Sequence, residues 1–287
     1  MHNLNDRLDV NYAEKLDINQ LATRNAMEAM SVKTKLHLHA PPVVETAIQI
    51  QFSDLPRWNS VHHGLYFPKI RARYPHFELI PEIPPVVETF PPSPKRLQLQ
   101  LTARQDPGCA QFESLNHDRL IRVQRNRFAF HWKSIVSSES TNYPRYEANI
   151  RSFVDEFAVF QEFCFEESLG SISPLLCEVM YLNHVKPNPD ESLEQMVDSI
   201  FGSNLGAFEL FTLNRTFTKD ANRGRLYAEL NSAFDDTPYV TFQLTSRINH
   251  DDGEFLDSLN LAHDWLIEVF TNLTSQKARK ERWHESG

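Results

Sequence analysis

Glycine is scarce in this chain, at 8 residues in 287. There is no glycine-rich phosphate loop of either common type, which weakens any nucleotide-dependent reading. The three cysteines, Cys109, Cys164 and Cys177, are too few and too scattered for a disulfide framework or a zinc site. They are expected as reduced thiols in a cytoplasm. No apolar run approaches about 18 residues, so no membrane span is expected. Residues Met1–Asp6 lack a charged n-region and an apolar h-region, so no secretory signal is expected either. Positive charge is short too: 29 Lys and Arg stand against 38 Asp and Glu, a net charge of −9. That balance disfavours general nucleic-acid binding and leaves room for a local basic patch. There is no Gly-x-Ser-x-Gly; the nearest string, Phe201–Gly206, lacks the nucleophile-elbow spacing.

What the chain does have is apolar surface. Hydrophobic residues make up 41% of it and 20 residues are Phe, enough to core one large or two medium domains. The hexapeptide Pro-Pro-Val-Val-Glu-Thr occurs at 41–46 and again at 84–89, an offset of 84 − 41 = 43 residues. A true repeat of that period would continue into the same element each time. Instead, Ala47–Phe52 alternates as a strand, whereas Phe90-Pro91-Pro92-Ser93-Pro94 loses three ladder donors. One copy therefore opens a strand. The other belongs to a proline-rich connection, residues 79–96, expected to be extended and polyproline-like.

Residues 1–39 read as a polar arm, with a helix from Asp17 toward Met30 as one conformation and a loosely docked chain as the other. Two halves follow, 40–140 and 141–287. In the first, Val43–Phe52 is a half-buried strand, and Phe67–Tyr74 a short helix with Pro68 in its first turn. Leu97–Leu101, Ala110–Leu115, Arg119–Gln124 and Arg127–Lys133 form a meander. The second half repeats the order. It has a helix at Tyr146–Glu167, a strand from Pro174 through Tyr181, a short helix at Leu193–Phe201, and strands at Ala207–Phe217, Arg225–Asn231 and Tyr239–Ile248. A closing helix starts near Asp252, with a stripe of Phe255, Leu259, Ala262, Leu266, Val269, Phe270 and Leu273. The expected fold is α+β: two similar halves, each an antiparallel β-meander with packed helices, and a long C-terminal helix.

Several groups could carry chemistry. Arg119, Arg122, Arg125, Arg127, His131 and Lys133 crowd one hairpin, interleaved with Phe128, Phe130 and Trp132. Alternation places the aromatics opposite Arg127 and His131. The aromatics are thus expected in the core, with Arg127 and His131 more exposed, on a solvated face or one that binds phosphate or a partner. Glu178, Asn183 and His184 lie on an otherwise apolar strand and need partners, either in a structural network or around a ligand. The tail Lys277–Trp283 has no apolar periodicity, so Trp283 reads as an exposed interface anchor. His263 is expected in a buried hydrogen bond. The pairs His37/His39 and His62/His63 have no further ligand at metal spacing. Asp235-Asp236 and Asp251-Asp252 read as turn residues, with Asp252 as a helix cap. No metal, cofactor or catalytic residue is expected.

Five motifs stand in order along the chain: Pro41-Pro42-Val43-Val44-Glu45; Ile70-Arg71-Ala72-Arg73-Tyr74-Pro75; Arg127-Phe128-Ala129-Phe130-His131-Trp132; Tyr143-Pro144-Arg145-Tyr146-Glu147; and Ala262-His263-Asp264-Trp265 before Phe270-Thr271-Asn272-Leu273-Thr274. Together they resemble a sporadically distributed bacterial protein family, over residues 41 to about 284. The resemblance brings no activity, cofactor or site residue with it. By analogy, patchy distribution implies a role near defence or mobile-element systems.

The sequence therefore points to a cytoplasmic, non-enzymatic protein that recognises another macromolecule, with a protein as the partner. One alternative is a small-ligand binder with a pocket between the sheet and the C-terminal helix. Another is a nucleic-acid binder acting through the 119–133 hairpin. The oligomeric state is left open.

Overall fold

A computed structural model describes residues 36–90, 107–135, 142–202, 210–219, 223–234 and 237–286. The helix expected near 17–30, the strand at 97–101 and the turn at Asp235-Asp236 lie outside them. Residues 38–287 form one compact unit. In chain order its elements are β1 (Val43–Phe52), α1 (Val61–Ile70), β2 (His76–Ile80), β3 (Cys109–Glu113), β4 (Arg119–Gln124) and β5 (Arg127–Lys133). These are followed by α2 (Tyr146–Glu166), β6 (Pro174–Val185), α3 (Leu193–Phe201), β7 (Thr212–Lys219), β8 (Gly224–Phe234), β9 (Pro238–Asn249), α4 (Phe255–Leu273) and α5 (Gln276–Trp283).

The nine strands make a single antiparallel sheet, ordered β2-β3-β4-β5-β1-β6-β9-β8-β7. The fold is thus mixed α and β. The two expected halves share one sheet through the central β1/β6 pair, where Ile48 stands opposite Val179.

Cross-strand partners share a face, so the register sorts the side chains. Ile48, Ile50, Phe128, Phe130, Val179, Phe242, Leu244 and Leu226 all point to one face and are buried. The aromatic stripe of α2 covers the first half of that face: Phe128 meets Phe153, Phe157 and Phe160 at 5.3–5.7 Å. α4 covers the second half, with Leu259, Ala262 and Leu266 fully buried and Phe270 stacked on Phe242 at 5.8 Å. Phe128, Phe130 and Trp132 are buried, as their alternation requires.

Three local expectations differ. The first helix spans Val61–Ile70 and buries His63, Tyr66 and Ile70, so Pro68 lies in its last turn instead of its first. Pro68 withholds one donor there, and the helix ends two residues later. The closing helix starts at Phe255 behind Glu254, not behind Asp252. The tail is not an exposed anchor. It forms α5, capped by Ser275, and Trp283 is buried against Phe270 at 5.4 Å. A helix this short shows little periodicity, because only Ala278, Arg279 and Trp283 turn inward. Arg279 carries much of the docking: its guanidinium donates to the carbonyls of Thr271 and Thr274, which end α4.

Candidate functional site on the polar face of the sheet

The opposite face of the sheet is polar, and charged residues are packed into it. Gln124, Arg127 and Gln51 lie side by side on β4, β5 and β1. Gln49, Glu178, Arg247 and Arg225 continue the row across β1, β6, β9 and β8. The row is bonded along its length. Gln49 donates to Glu178 at 2.6 Å and Arg127 to Gln51 at 3.2 Å, and Arg247 pairs with Glu178. Burial works to lower the Arg127 pKa, and Glu178 opposes it. Burial would lower Arg247 as well, but the charges of Glu178 and Glu88 carry it well above the ordinary arginine range.

Across this row lies the second copy of the repeated hexapeptide. The strap Pro81–Phe90 crosses the strands without joining the ladder, and the sheet's side chains hold it by its backbone. Gln124 accepts from Ile83 N–H at 3.1 Å and donates to Ile83 C=O at 2.9 Å. Gln51 grips Val86 in the same way, at 2.7 and 2.8 Å. Between them, Arg127 donates to Pro84 C=O at 3.0 Å. The spacing explains the fit. Three polyproline residues rise about 9.3 Å, and β4 to β1 is two strand spacings, about 9.6 Å. Beyond Val86 the strap ends in a carboxylate cradle. Glu88 receives hydrogen bonds from Arg225, from Tyr227 at 2.9 and 3.0 Å and from Arg247 at 3.1 Å. Only 4% of its side chain is exposed. Arg225 also holds Thr89 C=O at 2.8 Å and sits 4.5 Å over the Phe90 ring. At the other end Arg125 pairs with Glu82 at 2.7 Å.

The structure places the sequence candidates as follows. Arg127 and His131 are buried, at 4% and 5% exposure, and not the more exposed pair expected. The strap covers Arg127, and His131 is tied to Glu45 at 2.8 Å. Burial pulls the His131 pKa down, partly offset by Glu45. Arg122 donates to Gln111 at 3.0 Å, and Lys133 reaches Glu113 at 3.4 Å. Arg119 is exposed, 4.0 Å from Asp118. The expected polar trio divides. Glu178 and His184 are on the polar face, where His184 meets the Tyr239 ring at 4.9 Å. Asn183 points to the helical face and donates to Phe242 C=O at 2.8 Å. Trp283 lies under α4, away from this face. Among the described residues no group of three or more His, Cys, Asp or Glu could hold a metal ion.

Sequence reasoning did not find Gln51, Gln124, Arg225, Tyr227, Arg247 or Glu88. One signal was available. The repeated hexapeptide puts a glutamate in a proline-rich segment with no helix or strand of its own to support it. A searched set of protein-family models gives no match to this chain, and a search of curated proteins gives none either.

Proposed function

We propose that this protein is a non-enzymatic recognition protein that binds a partner protein across the polar face of its sheet. One observation carries this reading. Gln51 and Gln124 each satisfy both the N–H and the C=O of a chain segment that is not part of the sheet. Such side chains read main chain, and main chain is common to every protein partner. The titratable groups of this face support a binding role over a catalytic one, because Glu88, Glu178, Arg225 and Arg247 are spent on one another. The nucleic-acid alternative loses its stacking platform, since Phe128, Phe130 and Trp132 are buried on the other face of the sheet. The pocket alternative finds Leu259, Ala262 and Leu266 packed between sheet and helix. The role near defence or mobile-element systems belongs to the same proposal and rests on the motif resemblance alone.

We read residues 40–140 and 141–287 as related copies of one unit. The support is the strand order, which runs outward from the centre as β1-β5-β4-β3 with β2 added at the edge on one side, and as β6-β9-β8-β7 on the other. A superposition that cannot lay Val44–Phe52 on Leu176–His184 would remove this part.

The test places a photo-crosslinking residue at Thr241, on the polar face opposite His184. A second variant carries it at the exposed Glu162 on the outside of α2. Irradiation in the source cells is expected to give a discrete protein adduct from Thr241 and none from Glu162. Equal adducts from both sites, or a nucleic-acid adduct from Thr241, would overturn the reading.

A further inference from the structure

The strap is an unusual closure for a sheet face. A loop that sealed the face by hydrophobic burial would turn its apolar side chains inward. This one leaves Pro84 and Pro85 exposed and Val87 76% exposed. Its attachment is almost wholly polar: two glutamine grips, one arginine on a proline carbonyl, and a carboxylate in a cradle of two arginines and a tyrosine. It is held as a bound peptide is held.

The fit is also incomplete. Among the described residues, Nε of Arg127 and Nε of Arg225 are buried and without a hydrogen-bond partner. Both arginines lie directly beneath the strap and are less than a tenth exposed. A buried donor left unsatisfied is costly. A peptide supplying one more acceptor at either arginine would bind the face better than the strap does.

We propose that the strap is a cis-bound stand-in for a partner's peptide, and that the polar face is a receptor for an extended, proline-containing acidic segment. The proposal rests on the reading of this face as a protein-binding surface and names the ligand it takes. The register follows from the strap. Two main-chain grips stand three residues apart, as at Ile83 and Val86, and a carboxylate follows two residues later, as at Glu88. A polyproline segment suits the first part because its conformation is already ordered and its carbonyls point outward to donors. The acidic side chain suits the second, because Arg225 and Arg247 offer a charged cradle in a low-dielectric setting. Tethering keeps the strap at a high effective concentration. The partner peptide therefore competes with the strap, and the strap sets a threshold for binding.

The experiment uses a fluorescein-labelled peptide with the sequence of residues 81–90, followed by fluorescence anisotropy. The receptor is the full chain with residues 83–88 replaced by an alternating Gly-Ser segment of equal length. Saturable binding is expected, at least about tenfold tighter than to the wild-type chain, whose own strap competes. Adding Gln51→Ala and Gln124→Ala to the receptor, or Glu88→Gln to the peptide, is expected to weaken it by about tenfold or more. Should the replaced chain not fold by circular dichroism, Glu88→Gln in the intact chain takes its place and is expected to bind the peptide more tightly than wild type. A folded receptor that does not bind, or binding indifferent to Gln51 and Gln124, would overturn the proposal. So would a wild-type dimer formed by strap exchange, because the occupant would then be a second copy. A protein adduct at Thr241 without peptide binding would reject this ligand and leave the protein-binding face standing. Loss of both would reject the two together.

Discussion

At the scale of single residues, His131 shows how this face differs from a solvated one. It is buried among charges, with Glu45 as its hydrogen-bond partner, and its pKa is pulled down mainly by burial. His63, on the buried side of α1, is pulled down as well. The folded state therefore prefers both rings neutral. Above the ordinary histidine range, near 6.5, both rings are neutral in the folded and the unfolded chain, and their contribution to stability is fully present. As the pH falls through that range, the unfolded chain takes up protons first. Stability then declines until the folded-state values are reached. The melting temperature is expected to be lower at about pH 5.5 than at about pH 7.5. His131→Gln keeps a donor for Glu45 and is expected to shrink that difference; a difference equal to wild type would clear His131 of the effect. The alternation of 127–133 correctly set the aromatics apart from Arg127 and His131, since period two fixes which face a residue joins. It could not say that the second face would be buried too. For Arg127 that depends on the strap, whose contacts are long-range, such as Gln51 with Val86 and Tyr227 with Glu88; His131 depends on Glu45, 86 residues away.

At the scale of elements, α5 is where the structure departs furthest from the sequence reading. Trp283 fills a place against Phe270, and Arg279 satisfies carbonyls at the end of α4. Arg282 pairs with Glu191, just ahead of α3, and Leu38 bridges to Glu285. Trp283→Ala is expected to cost about 3–5 kcal/mol, as for other buried tryptophans, read as a lowered urea midpoint at unchanged slope. An unchanged midpoint would return Trp283 to the surface role that its sequence suggested. β1, β5 and α3 were legible to the residue, because alternation or a capped amphipathic run leaves one solution, and β4 because turn residues bound it at both ends. β2 was not legible. It is an edge strand, mostly exposed, between Pro75 and Pro81, so it shows no buried face to read. α5 was hidden for a related reason: three inward residues in eight do not make a stripe.

At the scale of the molecule, the two halves are joined by the β1/β6 edge at the sheet's centre. β1 pairs with β5 on one side and with β6 on the other, and β6 passes the sheet on to β9. Neither half can melt without baring a central edge of the other. Thermal unfolding of the chain is therefore expected to show one cooperative transition, with calorimetric and van't Hoff enthalpies equal. Two resolved transitions would show 40–140 and 141–287 to be independent domains. Most of the element order in each half was legible in the sequence, β2 and α5 apart. Their union into one sheet was not, because β1 gives no sign of which strand will lie on its second edge.

That central seam also sets a timetable during synthesis. Gln49 on β1 and Glu178 on β6, which meet across it, are 129 residues apart in the chain. At the usual pace of about 5–20 residues per second, β1 waits roughly 6–26 s for its neighbour to be made. Glu88 waits longer, because its two arginine partners lie 137 and 159 residues downstream. Throughout that interval a long central strand offers one open edge to whatever passes, because β6, its partner there, is not yet translated. For the nascent chain, the stretch of synthesis before β6 emerges is the one in which it is most exposed to mispairing.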